Sequence, residues 1–180
     1  MRFDLRWLRL RAVWILVIPF LVLARPTPSL LAVGALLASM GLALRSWAAG
    51  HIRKERELAV GGPYAHTRNP LYVGSFLIGL GVVTAGGLRW FVVLFALFFT
   101  LVYGWTIRGE ASLLEERFGD QYRRYARNVR LVVPRLRAWR PDGALRSGFE
   151  PGRWLSNREY EALAGTLAGF AILAAKMLWM

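Results

Sequence analysis

The chain has no cysteine, only two histidines, and eleven acidic residues against 24 basic ones in 180 positions. Without cysteine there can be no disulfide, zinc thiolate, iron–sulfur centre or cysteine nucleophile. His51 and His66 are too few for a histidine cage, so no metal site is expected. Long polar stretches are also scarce. Hydrophobic residues make up 56% of the chain and gather in runs of about 13 to 22, which excludes an ordinary soluble domain and points to an integral membrane protein. A formal charge of +13 would suggest nucleic acid in a soluble protein. No groove-reading motif accompanies the charge, so no nucleic-acid partner is expected. The arginines are read as setting topology and meeting anionic lipid.

Taken in order, the runs predict an all-α polytopic membrane protein with about five transmembrane helices. Residues 1–11 are a basic lead-in, with Arg2, Arg6, Arg9 and Arg11 among apolar neighbours. A first helix is expected from near Leu8 to Ala24, with Pro19 as a kink. The alternative is a cleaved signal peptide, against which stands the lack of an A-x-A site. Arg25-Pro26-Thr27-Pro28 breaks the chain, and Ser29 to Ala49 is the second span, ending near the interface anchors Arg45 and Trp47. Leu71 to Gly86 is the third, Gly86-Gly87 a turn, and Leu88 to Ile107 the fourth. Glu159 to Met180 is the fifth, with Gly165 and Gly169 on a small-residue face. That face favours packing inside the chain, with a homodimer through Gly165 and Gly169 as the alternative. Three segments on one side of the spans, 1–11, 45–70 and 108–158, hold 21 of the 24 basic residues. This predicts a cytoplasmic N-terminus in the inner membrane, with the polar clusters on the cytoplasmic side.

Two of those clusters carry chemistry. The first, Gly61 to Gly74, reads GGPYAHTRNPLYVG. Asn69 is a strong N-cap and Pro70 a favoured first helical residue, so Asn69-Pro70 starts the third span. That start explains neither Arg68 nor the Gly-Pro-Tyr turn ahead of it. The second cluster follows the fourth span. Glu110 stands at the membrane exit beside Arg108, where a carboxylate needs a partner. Gly119 ends an apolar helical stripe, and Asp120 starts a short helix carrying Tyr122 and Tyr125. The Gly86-Gly87 turn makes the third and fourth spans antiparallel neighbours, so Tyr72 and Glu110 should lie at one depth and face one pocket.

The ordered pattern G-P-Y-x-x-x-R-N-P-x-Y-x-G, a hydrophobic hairpin, then E-x-x-x-L-x-x-x-F-G-x-x-Y-x-x-Y resembles the isoprenylcysteine carboxyl methyltransferase and phospholipid N-methyltransferase superfamily. The resemblance covers about residues 55–137 of one membrane domain, 1–180. A basic linker, 138–158, and the last helix, 159–180, follow it. It implies a membrane methyltransferase that binds S-adenosylmethionine at the cytoplasmic end of the spans. The cofactor-binding candidates are Tyr64, Arg68, Asn69, Pro70, Tyr72, Gly74, Glu110, Tyr122 and Tyr125 from the matching motifs, with Gly79, Gly81 and Arg108 beside them. The glycines would let the cofactor approach the third helix closely. Methyl transfer needs no nucleophilic side chain, so no catalytic residue is assigned. The implied acceptor is lipophilic or lipidated and comes from the bilayer: a carboxylate on a lipidated thioether, or a lipid amine. The sequence departs from the pattern twice, with Asn69 where the carboxyl methyltransferase branch has His, and Ala111 where a second glutamate is usual. Two rival readings are a non-enzymatic membrane scaffold and a small transporter.

Overall fold

A computed structural model of the chain describes residues 16–52, 57–140 and 148–180, all of whose regular elements are helical. Helix α1 covers residues 16–23 and runs through Pro19. The expected start of the first span, near residue 8, and the signal-peptide alternative lie outside the described residues. Helix α2 spans Pro28–Ala49, with Thr27 as N-cap and Pro28 in the first turn. Helix α3 spans Pro70–Ala85, α4 Arg89–Asn128, α5 Pro151–Ser156 and α6 Glu159–Trp179. Of these, α2, α4 and α6 are long and apolar enough to cross a membrane, and α3 is a shorter apolar helix. The chain is an all-α, integral membrane protein.

Helices α2 and α3 make the tightest contact, because glycines on both sides remove the side chains that would hold them apart. A Cβ on Gly34 would stand 2.4 Å from the Gly81 carbonyl oxygen, and one on Gly41 would stand 2.5 Å from that of Gly74. The α3–α4 turn uses Gly87 at φ 75°, a conformation glycine adopts without strain. There the Arg25 amide donates to the Gly86 carbonyl at 2.8 Å. Phe20, Ala24, Val83, Ala85, Phe91 and Leu173 form the apolar core at this end.

Helix α4 does not stop at the membrane exit. From Arg89 to Phe118 it runs about 45 Å at about 1.5 Å per residue, longer than a hydrocarbon layer of about 30 Å. Its last turns therefore project beyond the bilayer, carrying Glu110. Gly119, at φ 50° and ψ −123°, then breaks the helix and turns residues 120–128 aside.

The stretch 138–158, expected as a linker, contains a docked segment. The Glu150 amide donates to the Gly50 carbonyl at 3.0 Å, Asn157 Nδ2 to the Ala49 carbonyl at 3.1 Å, and Trp154 Nε1 to Ser46 Oγ at 3.1 Å. The first two satisfy carbonyls that the C-terminus of α2 leaves open, and the third ties the segment to an α2 side chain. Among the described residues the packing expected at Gly165 and Gly169 is not seen: a Cβ on either would meet nothing within 4 Å. Helix α6 instead buries Glu159, Thr166 and Leu173.

Candidate functional site

The loop before α3 folds into a 3-10 turn, Gly62–Ala65. Gly62 opens it at φ 56°, and a Cβ there would lie 2.5 Å from the His51 ring. The turn buries Tyr64. Residues 130–139 return along this loop as a strap. The Arg68 amide donates to the Arg130 carbonyl at 3.0 Å, Thr67 Oγ1 to that of Val132 at 2.9 Å, and the Trp139 amide to that of Ala65 at 2.9 Å. Asn69 precedes α3 as expected, but its side chain makes no cap. Its Nδ2 donates to the Leu131 carbonyl at 3.0 Å, so the strap rather than the helix uses the amide.

The hairpin brings Tyr72 and Glu110 together across 38 residues of sequence. The tyrosine hydroxyl donates to Glu110 Oε1 at 2.6 Å, a short charge-assisted bond. Past the Gly119 break, Tyr122 and Tyr125 are buried with Val129. Tyr125 donates to the Tyr64 carbonyl at 2.7 Å. Arg68 Nη1 donates to the Tyr122 hydroxyl at 3.1 Å, with the guanidinium 5.8 Å from the Tyr122 ring centre.

These groups surround one cavity of about 570 Å³, within the range of small-molecule sites. Tyr64, Arg68, Asn69 and Pro70 line it from the loop, Tyr72 from α3, and Glu110, Tyr122 and Tyr125 from α4. Apolar side chains, Leu58, Leu114 and Phe118 among them, complete the wall. Two buried polar atoms of lining residues, the Tyr64 hydroxyl and Arg68 Nε, have no hydrogen-bond partner among the described residues. Such atoms are costly unless something else satisfies them. Burial pushes the Tyr64 hydroxyl well above the ordinary tyrosine range, and the charge of Glu159 acts the same way. Tyr125 is raised too, again chiefly by burial. Both phenols are therefore neutral donors at physiological pH.

Four expected site residues lie elsewhere. Gly74 and Gly81 face α2, where a Cβ would meet the carbonyl oxygens of Gly41 and Gly34 at 2.8 and 2.5 Å. Gly79 faces Phe95, whose ring would lie 2.3 Å from a Cβ. These glycines serve helix packing and do not open onto the cavity. Arg108 is exposed on α4, outside the lining. Other residues belong to the wall although sequence reasoning did not place them there. Arg45, read as an interface anchor, lines the cavity together with Ser75. Behind them the Arg45 guanidinium meets Glu159 through two hydrogen bonds, Nε to Oε2 at 3.0 Å and Nη2 to Oε1 at 2.8 Å. The signal in the sequence is slight: one basic residue near the end of a span and one acidic residue at the start of another. Among the described residues, no group of three or more His, Asp or Glu side chains could hold a metal ion.

The sequence profile of the phospholipid methyltransferase family matches residues 29–121, from the start of α2 to just past the Gly119 break. The chain belongs to the phospholipid methyltransferase family. The matched segment supplies Tyr64, Arg68, Tyr72 and Glu110, while Tyr122, Tyr125 and the strap follow it. The protein is 33% identical over 81 residues to the protein-S-isoprenylcysteine O-methyltransferase of Schizosaccharomyces pombe, covering 45% of this chain and 34% of that one. This agrees with a wider superfamily of membrane methyltransferases. It is also 38% identical over 118 residues to the nickel-cobalt-cadmium resistance protein NccN of Alcaligenes xylosoxydans xylosoxydans, covering 63% of this chain and 54% of the relative. The cobalt-zinc-cadmium resistance protein CzcN of Cupriavidus metallidurans is 39% identical over 118 residues, with coverage of 63% and 53%. The chain spans about half the length of these two curated relatives. No solved structure matches it. Ala111, the departure from the superfamily pattern, lines the cavity one position after Glu110.

Proposed function

We propose that the protein is an S-adenosylmethionine-dependent methyltransferase with its site at the cytoplasmic face of the inner membrane, acting on an acceptor delivered by the bilayer. The observation that carries this reading is the pair of buried donors without a partner among the described residues, the Tyr64 hydroxyl and Arg68 Nε, in residues of the wall that also holds the Tyr72–Glu110 pair. A cofactor with one carboxylate, one ammonium and ribose hydroxyls fits that donor and acceptor set. Arg68 takes the carboxylate through its guanidinium. Glu110 takes the ammonium or a ribose hydroxyl, and Tyr64 donates to an oxygen of the bound molecule. Tyr72, fixed by Glu110, offers its ring face to the sulfonium. The cofactor supplies an electrophilic methyl group, ready for in-line displacement. The chain's own work is to hold donor and acceptor in line and to exclude water, for which its aromatic and aliphatic wall is suited. The excess of basic residues in segments 1–11, 45–70 and 108–158 supports the cytoplasmic orientation. The acceptor is apolar or lipid-borne, a carboxylate on a lipidated thioether or a lipid amine.

Ala111 and the two relatives named as metal-resistance proteins favour a second reading, a non-enzymatic membrane component that keeps the fold. Binding of S-adenosylmethionine to the purified full chain in nanodiscs, measured by calorimetry, decides between them. Saturable binding is expected. Glu110→Gln, which keeps the shape but loses the charge, should weaken it by roughly 1.5–3 kcal/mol. Absence of binding by the wild-type chain would leave the second reading.

A further inference from the structure

Helix α6 lies outside the family-matched segment, yet its first turn reaches the site. Glu159 is 5% exposed and Arg45 22% exposed, and their two-bond contact joins α6 to α2. The same guanidinium continues to α3. Its Nη1 donates to Ser75 Oγ at 2.6 Å and to the Leu71 carbonyl at 3.5 Å, and Ser75 Oγ donates in turn to the Leu71 carbonyl at 2.9 Å. Leu71 and Ser75 bracket Tyr72 in the first turn of α3, and Tyr72 reaches Glu110 on α4 at 2.6 Å. Two sets of polar contacts therefore meet on the start of α3: one joins it to α2 and α6 through Arg45 and Glu159, the other joins it to α4 through Tyr72 and Glu110. Gly74 makes the crossing open, since a Cβ there would stand 2.6 Å from Arg45 Cγ.

A buried arginine cannot lie bare in an apolar setting, and a bidentate carboxylate fixes both its charge and its plane. Here that fixed plane holds a helix turn by two further acceptors. We propose that Glu159 and Arg45 are positioning residues of the site. Glu159 sets the Arg45 guanidinium, Arg45 sets the first turn of α3, and that turn aims Tyr72 at Glu110. The last helix is then a working part of the site. The inference rests on the methyl-transfer reading only for what the site binds; the geometric claim about Tyr72 stands apart from it.

The test uses the full chain in nanodiscs with 3-fluorotyrosine at position 72, so that one fluorine resonance reports the setting of Tyr72. Affinity for S-adenosylmethionine is measured in parallel. Glu159→Gln should move or broaden the resonance and weaken binding on the order of tenfold, as a small misplacement does. Glu159→Asp, which keeps the charge, should restore part of both. The paired change Arg45→Met with Glu159→Met leaves no orphaned charge and keeps a foldable variant available. It should give the same displaced resonance. A wild-type resonance and wild-type affinity in the folded paired variant would overturn the proposal and reduce the pair to a stabilising contact. If the wild-type chain binds no S-adenosylmethionine, the methyl-transfer reading falls, while the resonance still decides whether Glu159 positions Tyr72.

Discussion

Two glycine faces in this chain look alike in sequence and behave oppositely in the fold. Gly34 and Gly41 on α2 meet Gly81 and Gly74 on α3 so closely that any added Cβ would lie within 2.8 Å of a facing backbone oxygen. Gly165 and Gly169 on α6, four residues apart, also share one helix face, yet they meet nothing within 4 Å among the described residues. A small-residue stripe permits close approach, but another helix must be held against it. For α3 that helix is α2, the preceding span. For α6 the packing sides are those of Glu159, Thr166 and Leu173. The glycine face is left outward.

The sharpest way to break this comparison is to load both faces equally. Gly81→Leu puts a side chain where a Cβ alone would be 2.5 Å from the Gly34 oxygen. It should cost about 3 kcal/mol or more and lower the thermal midpoint in detergent markedly. The double change Gly165→Leu and Gly169→Leu should stay within about 0.5 kcal/mol of the wild-type monomer. A large loss in the second case would show that something covers the α6 face.

A smaller effect separates the two ends of the α2–α3 contact. Gly74→Ala and Gly81→Ala should both destabilise, by about 1–3 kcal/mol. Only Gly74 lies beside Arg45, so only Gly74→Ala should also weaken ligand binding, read as a loss of affinity in the folded protein. Equal affinity in the two variants would break the link from glycine packing to the site.

The smallest expected effect has opposite signs in two assays. Tyr64→Phe removes a buried hydroxyl that has no partner among the described residues. The ligand-free protein should gain up to about 1 kcal/mol, because a desolvated orphan group is relieved. Ligand affinity should fall. A variant that loses stability without ligand would mean the hydroxyl is already satisfied inside the chain.

Much of the site was legible before the fold, and for an identifiable reason. Tyr72 and Glu110 are 38 residues apart, but two helices joined by Gly86-Gly87 must lie side by side, so their near ends share one depth. Gly119 was legible as a helix end because it follows an apolar stripe and precedes Asp120. The strap was not. Residues 130–139 have no periodic pattern, and what they contribute to the bonds with residues 65–69 is main-chain atoms, which are the same in every sequence. Nor was the role of Gly74, Gly79 and Gly81. A glycine records that something comes close, and only the fold shows that it is a helix and not a cofactor.

The sequence by itself determined the membrane class, the main apolar helices, the hairpin and the family, because run length, turn residues and ordered motifs are local properties of the chain. Tertiary structure alone decided that Arg45 joins Glu159, 114 residues away, and that α6 thereby reaches the wall of the cavity. An arginine near the end of one helix and a glutamate at the start of another are each compatible with water or headgroups. Only the lateral packing of α6 against α2 and α3 buries Glu159 and sets it against the part-buried Arg45, so that the two pair.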